Sequence, residues 1–298
     1  MPELPECETI VRDLRPRIMG RMISGMVIRG TAEGKILHVP PKYFYEATIC
    51  QEIQTVIRKG KYIILPLTNG NVIVFHLGMT GKLLLREIPE VMFEDRFTGD
   101  AHVDKHTHVI LELSEVSDED SPDLELCFND VRRFGNIWLA EDVENIEKLN
   151  IPGLKDLGID ALGITLSEFE TATRASRPIK AVLLDQTKLA GVGNIYADEA
   201  CFVAKVHPST KAKDLTSEQR ARLWYAVKTV LKEGIRYRGS SVSDYTTTDG
   251  SQGSYQDHHR VYGKLGQACV ECGTKVERIK IVGRSTHFCP NCQSERKQ

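Results

Sequence analysis

The chain of 298 residues and 33.5 kDa is 41% hydrophobic and 27% charged, which suits a soluble protein with room for two cored domains. No apolar run approaches ~18 residues, and the first residues lack a basic region followed by an apolar core; neither a membrane span nor a secretory leader is expected, and the setting is cytosolic or nuclear. A net charge of −2 with pI near 6.5 weighs against a nucleic-acid binder only if charge is evenly spread, and it is not.

The chain opens Met1-Pro2-Glu3-Leu4-Pro5-Glu6-Cys7-Glu8. Small Pro2 lets Met1 be trimmed, leaving a secondary amine with Glu3 beside it and Glu6 and Glu8 about one turn further on. An α-amino group titrates near ~8 and a Lys side chain near ~10.4, so at neutral pH the terminal amine offers far more free base. Attack on a sugar C1′ would give a charged iminium that permits elimination, which is lyase chemistry. The alternative is that Pro-x-x-Pro merely starts a helix with Glu near its positive end. Cys7, Ile10 or Val11, Leu14 and Ile18 then recur at helical spacing up to Gly20, with Pro16 expected to kink the last turn.

From 22 to 139 the pattern reads as short strands at 22–29, 36–39, 50–58, 62–65, 72–77, 106–113, 124–128 and 136–139, with Thr68-Asn69-Gly70-Asn71 as a hairpin turn. Such a series implies a β-sandwich. Within it Glu115, Asp118, Glu119, Asp120, Asp123 and Glu125 form an acidic stretch without Lys or Arg, read as a solvated insertion. Residues 141–163, with Pro152 and several Gly, read as a linker between a domain at 1–140 and a second, helical one. Helices are expected at 167–175, 178–185, 194–204 and 217–237, the middle pair joined by Gly191-Val192-Gly193-Asn194. Backbone N–H groups at such a helix start can hold a phosphate, or the glycines simply make an interhelical turn. Residues 239–254, rich in Ser, Thr, Gly and Asp, are expected to form a mobile loop, a candidate substrate lid within a domain at 164–265.

Four cysteines, Cys7, Cys50, Cys127 and Cys201, are isolated among apolar residues and read as small buried side chains. The others, Cys269-x2-Cys272 and Cys289-x2-Cys292 with sixteen residues between the pairs, have the spacing of a four-thiolate zinc site in a segment at 266–298. Such a site is closed to water, hence structural, and one Zn2+ would supply ~10–16 kcal/mol toward folding the segment. Between the pairs, 276–281 and 286–288 can pair around Val282-Gly283-Arg284-Ser285, placing Arg284 at a hairpin tip where it can fork phosphate oxygens. His287 is read as a surface side chain. After Val261 the residues Lys264, Lys275, Arg278, Lys280, Arg284, Arg296 and Lys297 outnumber Glu271, Glu277 and Glu295; local positive charge is what a phosphate backbone feels within a Debye length of about 10 Å. Arg58-Lys59-Gly60-Lys61 and Arg132-Arg133-Phe134 are basic turns, the second with an aromatic that could wedge between base steps, or are ordinary solvated turns.

Six ordered motifs carry a resemblance over nearly the whole chain: Pro2-Glu3-Leu4-Pro5-Glu6, Lys59-Gly60-Lys61-Tyr62, His76-Leu77-Gly78-Met79-Thr80-Gly81, Arg132-Arg133-Phe134-Gly135, Gly193-Asn194-Ile195-Tyr196-Ala197-Asp198-Glu199 and Gly283-Arg284 with its cysteines. In these the chain resembles the bacterial-type formamidopyrimidine-DNA glycosylases. The resemblance implies an α+β protein of two domains: an N-terminal β-sandwich with a helix, then a helical domain with a helix-two-turn-helix and a zinc-finger hairpin. It implies a cytoplasmic, nucleoid-associated monomer acting on double-stranded DNA that contains oxidised bases or abasic sites, with the damaged nucleotide flipped out. Pro2 would be the nucleophile at C1′, Glu3 the acid that helps open the deoxyribose, and Glu6 a proton relay. Lys61, Asn194 and Arg284 would hold phosphates, Lys61 and Arg284 also donating protons as the strand is cut; His106 and Lys180 would add DNA contacts. Met79, Arg132 and Phe134 would fill the gap left by the nucleotide, with Arg132 facing the orphaned cytosine. Successive β- and δ-elimination would then cut both sides of the sugar.

Four departures stand out. Cys7 replaces the usual Val, Val131 replaces the common Pro and would loosen the wedge loop, the stretch around Glu119 is additional, and the loop at 241–254, which corresponds to the family's lesion-covering loop, reads distinctively. Two rival readings remain: an endonuclease VIII-like glycosylase for oxidised pyrimidines, disfavoured by Leu4 and the wedge set, and a zinc protein that binds damaged DNA without cutting it.

Overall fold

The computed structural model describes residues 2–88, 104–116, 121–141 and 149–294. Met1, the acidic stretch at 117–120 and residues 142–148 of the expected linker lie outside the described residues. The chain divides into two compact units, one formed by Met1–Pro2, Glu6–Lys155 and Ser241–Gly253, the other by Glu3–Pro5, Asp156–Ser240 and Ser254–Gln298.

In the first unit, α1 (Leu4–Ile18) carries Cys7, Ile10, Val11, Leu14 and Ile18 on one buried face. Pro16 falls in its last turn, where the helix has little left to lose from a missing N–H. Two antiparallel four-stranded sheets follow. One has the order β1-β6-β7-β5, with β1 at Met22–Ile28, β5 at Gly81–Glu87, β6 at Thr107–Ser114 and β7 at Leu124–Asp130; the other is β2-β3-β4-β8, with β2 at Ile57–Lys59, β3 at Tyr62–Pro66, β4 at Val72–His76 and β8 at Asn136–Ala140. Their alternate residues, among them Ile63, Phe75, Leu83, Leu85, Leu111 and Phe128, share one core with α1, as the period of two requires. Gly70 at φ 85° makes the β3–β4 turn.

Several local expectations are corrected. The segment 36–39 is no strand and makes only single bridges through Leu37, whereas α2 (Pro41–Thr48) and β5 occupy stretches that carried no expected element. The stretch 50–58 is broken: Cys50 is exposed and left-handed at φ 58°, so it neither extends a strand nor acts as a buried thiol. Leu149, Ile151 and Leu154 are buried within the expected linker and the first unit runs past residue 140 to Lys155, so the two units divide inside the 141–163 stretch. Residues Ser241–Gly253 are tied down, not loose: Tyr245 joins the first unit's core and the Leu85 N–H donates to the Thr248 carbonyl at 2.8 Å.

The second unit packs α3 (Leu166–Ala172), α4 (Ile179–Leu183), α5 (Asn194–Val203) and α6 (Ser217–Arg236) around one apolar cluster, with β9 (Ile159–Asp160) and β10 (Leu189–Ala190) pairing in parallel. Capping boxes at Thr165/Glu168 and Thr216/Gln219 fix where α3 and α6 begin. The last hairpin pairs β11 (Glu277–Ile281) with β12 (Arg284–Phe288), and Ile281 faces Arg284 across a two-residue turn. Val282 and Gly283 both take positive φ there, 44° and 75°, as a tight hairpin turn demands.

Candidate active site and nucleic-acid interface

In the first unit Pro2 and Glu6 are buried at the head of α1. Lys61, also buried, sits where Gly60, at φ 57°, turns the chain from β2 into β3. The Cys7 thiol donates to the Lys61 carbonyl at 3.4 Å, which joins the first turn of α1 to this β-turn. Burial, then the Glu6 carboxylate, pushes that thiol up to about 12, so Cys7 packs as an inert small side chain. Arg58 does not face solvent: its Nε reaches Glu8 at 2.8 Å and its Nη1 the Gly60 carbonyl at 3.0 Å. Burial works to raise Glu8, but the guanidiniums of Arg58 and Arg12 outweigh it and hold the carboxyl below its ordinary range.

The wedge candidates lie together on two turns. Met79 is 40% and Phe134 51% exposed, and the exposed Arg132 guanidinium lies 4.8 Å from the Phe134 ring centroid. Glycine is required because these turns touch: a Cβ on Gly78 would meet the Phe134 carbonyl oxygen at 2.3 Å, and one on Gly135 would meet the Phe128 ring at 2.6 Å. His106 is half-buried at the entry to β6. Next to this surface His76 is pushed down to about 4 by burial and by the Lys61 charge, so it is neutral at pH 7.

In the second unit the glycines of Gly191-Val192-Gly193 make room for the start of the chain. A Cβ on Gly191 would meet the Leu4 side chain at 2.5 Å, and one on Gly193 would meet the Glu3 carboxyl carbon at 2.3 Å. The Glu3 carboxylate accepts the Ile195 N–H at 2.9 Å and the Tyr196 N–H at 3.4 Å. Those donors at the α5 N-terminus, which could have held a phosphate, are therefore occupied by a carboxylate of the chain itself. Asn194 Nδ2 donates to the Ser285 carbonyl at 3.1 Å, while its Oδ1 is buried without a partner. Arg284 is exposed at the base of the hairpin turn, and Lys275, Arg278 and Lys280 lie on the same short segment, Arg278 and Lys280 among the strand's outward positions.

The Sγ atoms of Cys269, Cys272, Cys289 and Cys292 lie within 4.8 Å of one another, with Cys269–Cys292 at 3.9 Å and Cys272–Cys289 at 3.4 Å. A tetrahedral ion with Zn–S bonds of ~2.3 Å needs sulfur separations of about 3.8 Å, so this donor set fits zinc and leaves no ligand position for water.

Residues 1–137 match the formamidopyrimidine-DNA glycosylase N-terminal domain, 158–246 the H2TH domain of those enzymes, and 266–294 a zinc finger found in FPG and IleRS. Full-length relatives named formamidopyrimidine-DNA glycosylase occur in Listeria innocua, 40% identical over 98% of this chain and 100% of theirs, and in Herpetosiphon aurantiacus, 39% identical over 99% and 100%. The chain belongs to the formamidopyrimidine-DNA glycosylase family. The MutM (FPG) crystal structure from Thermus thermophilus is 37% identical, covers 99% of both chains and has a TM-score of 0.80. Lactococcus lactis Fpg bound to abasic-site DNA is 31% identical, with a TM-score of 0.82 over 98% of this chain and 100% of that one.

Within this glycosylase the fold is the one expected, with sandwich, helical domain and a four-cysteine zinc-finger hairpin. Among the described residues no helix is long and apolar enough to cross a membrane. Two side-chain expectations are corrected. Lys180 is 0% exposed: its Nζ lies 2.6 Å from Asp198 Oδ1 and donates to the Ser285 carbonyl and Thr286 Oγ1 at 2.9 Å each, so it has no surface to offer a phosphate. His287 is buried, its main-chain N–H donating to Asp198 Oδ2 at 2.8 Å. Reading the sequence alone missed Asp198 and Glu199 as structural anchors; the Glu199 carboxylate accepts the N–H groups of Arg260, Val261 and Tyr262 at 2.9–3.0 Å. Acidic residues in the middle of a mostly apolar helix, where no Lys or Arg stands four residues on, were the only available signal.

Proposed function

We propose that this protein is a bifunctional DNA glycosylase and abasic-site lyase that removes oxidised purines, 8-oxoguanine and formamidopyrimidines, in base excision repair. After removal of Met1, the Pro2 secondary amine attacks C1′ of the extruded nucleotide, the glycosidic bond breaks, and the base leaves with a proton. The resulting iminium acidifies the 2′ carbon, so loss of a 2′ proton expels the 3′ phosphate, and a second elimination expels the 5′ phosphate. Glu3 protonates the ring oxygen as the sugar opens, and Glu6 relays protons. Lys61, Asn194 and Arg284 hold the flanking phosphates, with Lys61 and Arg284 donating protons during cutting. Met79, His106, Arg132 and Phe134 meet the DNA, Arg132 facing the unpaired base. Four thiolates around Zn2+ supply folding energy for the hairpin that carries Arg284, and no reaction step.

The observation that carries this reading is the seat of Glu3. Its carboxylate is fixed by two N–H donors at the start of α5, which immobilises the residue bonded directly to the proposed nucleophile. The Lactococcus relative has been crystallised with abasic-site DNA, and a point mutant of it with Fapy-dG-containing DNA. The test is borohydride trapping on abasic duplexes: an adduct that maps to Pro2 is expected, and its persistent absence would leave a damage binder that does not cut. A second activity merits the same assay, because the Lactococcus protein was also crystallised with DNA containing an oxidised pyrimidine. Cleavage of 8-oxoguanine:C in preference to thymine-glycol:A duplexes is the expected outcome.

A further inference from the structure

Asp130, the last residue of β7, is 0% exposed and is hydrogen-bonded to both turns that carry Met79, Arg132 and Phe134 and to the main chain at His106. Its Oδ1 accepts the Thr80 hydroxyl, next to Met79, and the Arg132 N–H at 3.1 Å. Its Oδ2 accepts the Gly135 N–H at 2.6 Å, beside Phe134. Thr80 Oγ1 in turn accepts from the same Arg132 N–H at 3.2 Å, closing a ring of polar contacts between the two turns. The main chain adds a third arm: the Asp130 N–H donates to the His106 carbonyl at 2.9 Å, and its carbonyl lies 2.9 Å from His108 Nε2, whose Nδ1 is 3.0 Å from Thr31 Oγ1.

We propose that Asp130 is a positioning residue that sets the geometry of Met79, Arg132 and Phe134 and thereby governs nucleotide extrusion and discrimination of the opposite base. The inference rests on the reading of those three residues as the DNA wedge. The physical need is plain from their exposure. Val131 at 53% and Phe134 at 51% face solvent, so no apolar burial fixes the 131–135 loop. Val131 carries no ring to restrict its backbone, and Arg133 is held at φ 56°, a region few side chains adopt without restraint. One buried carboxylate with three hydrogen-bond donors supplies that restraint and couples the loop to the Gly78–Gly81 turn, so Arg132, Phe134 and Met79 move as one body.

The experiment compares Asp130→Asn and Thr80→Val with Arg132→Ala and Phe134→Ala in the full-length zinc-loaded protein. Single-turnover excision is measured on 8-oxoguanine paired with each of the four bases, extrusion by 2-aminopurine fluorescence beside the lesion, and cleavage on preformed abasic sites. In Asp130→Asn the amide can keep Thr80 and the Arg132 N–H but turns a donor toward the Gly135 N–H. The expected result is an excision rate lower by about 10²-fold, as for a ~1 Å misplacement near a reacting centre. Opposite-base preference should flatten and the extrusion signal slow, with abasic cleavage reduced several-fold less than excision. Thr80→Val, which keeps shape and removes only the shared hydroxyl, should shift the same readouts in the same direction and decides the matter if Asp130→Asn does not fold. Were both variants to keep wild-type opposite-base preference and extrusion while Arg132→Ala and Phe134→Ala lost them, the role given to Asp130 would be overturned. If Arg132→Ala and Phe134→Ala themselves changed neither, the wedge reading fails instead.

Discussion

The Glu3 carboxylate sits where the α5 macrodipole is positive and where two N–H groups would otherwise lack partners. Glu3→Gln keeps the shape and one acceptor oxygen but loses the charge and the acid, so stability should fall by only about 1 kcal/mol. Base excision should fall by ~10²-fold or more, because opening of an intact nucleoside needs the proton. Cleavage of preformed abasic sites should remain measurable; equal loss of both activities, read in parallel gel assays, would remove Glu3 from the acid role. His259 makes a different kind of prediction. Burial, reinforced by the charges of Lys264, Arg260 and His258 and opposed by its hydrogen bond at Tyr262, pushes it down to about 4. An unfolded-chain His titrates near ~6.5, so the unfolded state takes up the proton first and stability from this group is complete above pH ~6.5 and lost as pH falls toward ~4. Between pH ~7 and ~5 that loss is on the order of 2 kcal/mol. Urea titrations at those two pH values should show a shallower dependence for His259→Gln than for the parent.

Between elements, the decisive tie in the second unit is ionic. Lys180 of α4 meets Asp198 of α5, and both hold the backbone of β12 at Ser285–His287. Lys180→Met strands a buried carboxylate and should cost ~3–5 kcal/mol, with Asp198→Asn in the same chain restoring part of it; thermal melts of the single and double variants check this. Nothing near Lys180 in sequence foretells a partner 18 positions on, so only the resemblance spoke for it, as a DNA contact. The same distance effect governs what else could be read. The helical faces of α1 and α6, the Asn-Gly turn of β3–β4 and the paired cysteines were legible because each is written within a few consecutive residues. The strand β5 was not: Lys82, Arg86 and Glu87 are poor strand formers, and the segment exists as a strand because Leu83 and Leu85 face the core while its backbone pairs with β7 some forty residues on. Short α2, whose buried residues are Phe44 and Thr48, carries too little periodicity to announce itself. The candidate nucleophile, wedge and phosphate hooks were named from motifs, yet the anchors that hold them, Asp130, Asp198 and Glu199, bond to partners that no local pattern reveals.

Across the whole molecule, a net charge of −2 coexists with a hairpin segment that carries Lys275, Arg278, Lys280 and Arg284. Each phosphate neutralised should contribute a slope of about −0.9 to the dependence of log affinity on log salt. Zinc removal is expected to melt this segment, because the apolar cluster around the cysteines is small, Phe202, Val261, Val276 and two of the cysteines themselves, with Ile281 and Phe288 the other buried apolar residues of the hairpin. Chelation should therefore erase amide-exchange protection across 266–294, lower the salt slope and weaken DNA binding, while the two sheets of the first unit keep their protection. Retention of hairpin protection in zinc-free protein would show that the ion is dispensable for folding.

The seat of Glu3 also orders events in time. Its partners at Ile195 and Tyr196 lie 192 and 193 positions downstream, so a nascent polypeptide leaving the ribosome cannot seat this carboxylate on α5 until nearly two thirds of the message has been translated. On the proposed reading, in which Pro2 acts only once Met1 is gone, that interval gives the processing enzyme time to work before Glu3 is seated. A fusion at the leading end should then abolish the proposed lyase chemistry, while one at the trailing end should spare it.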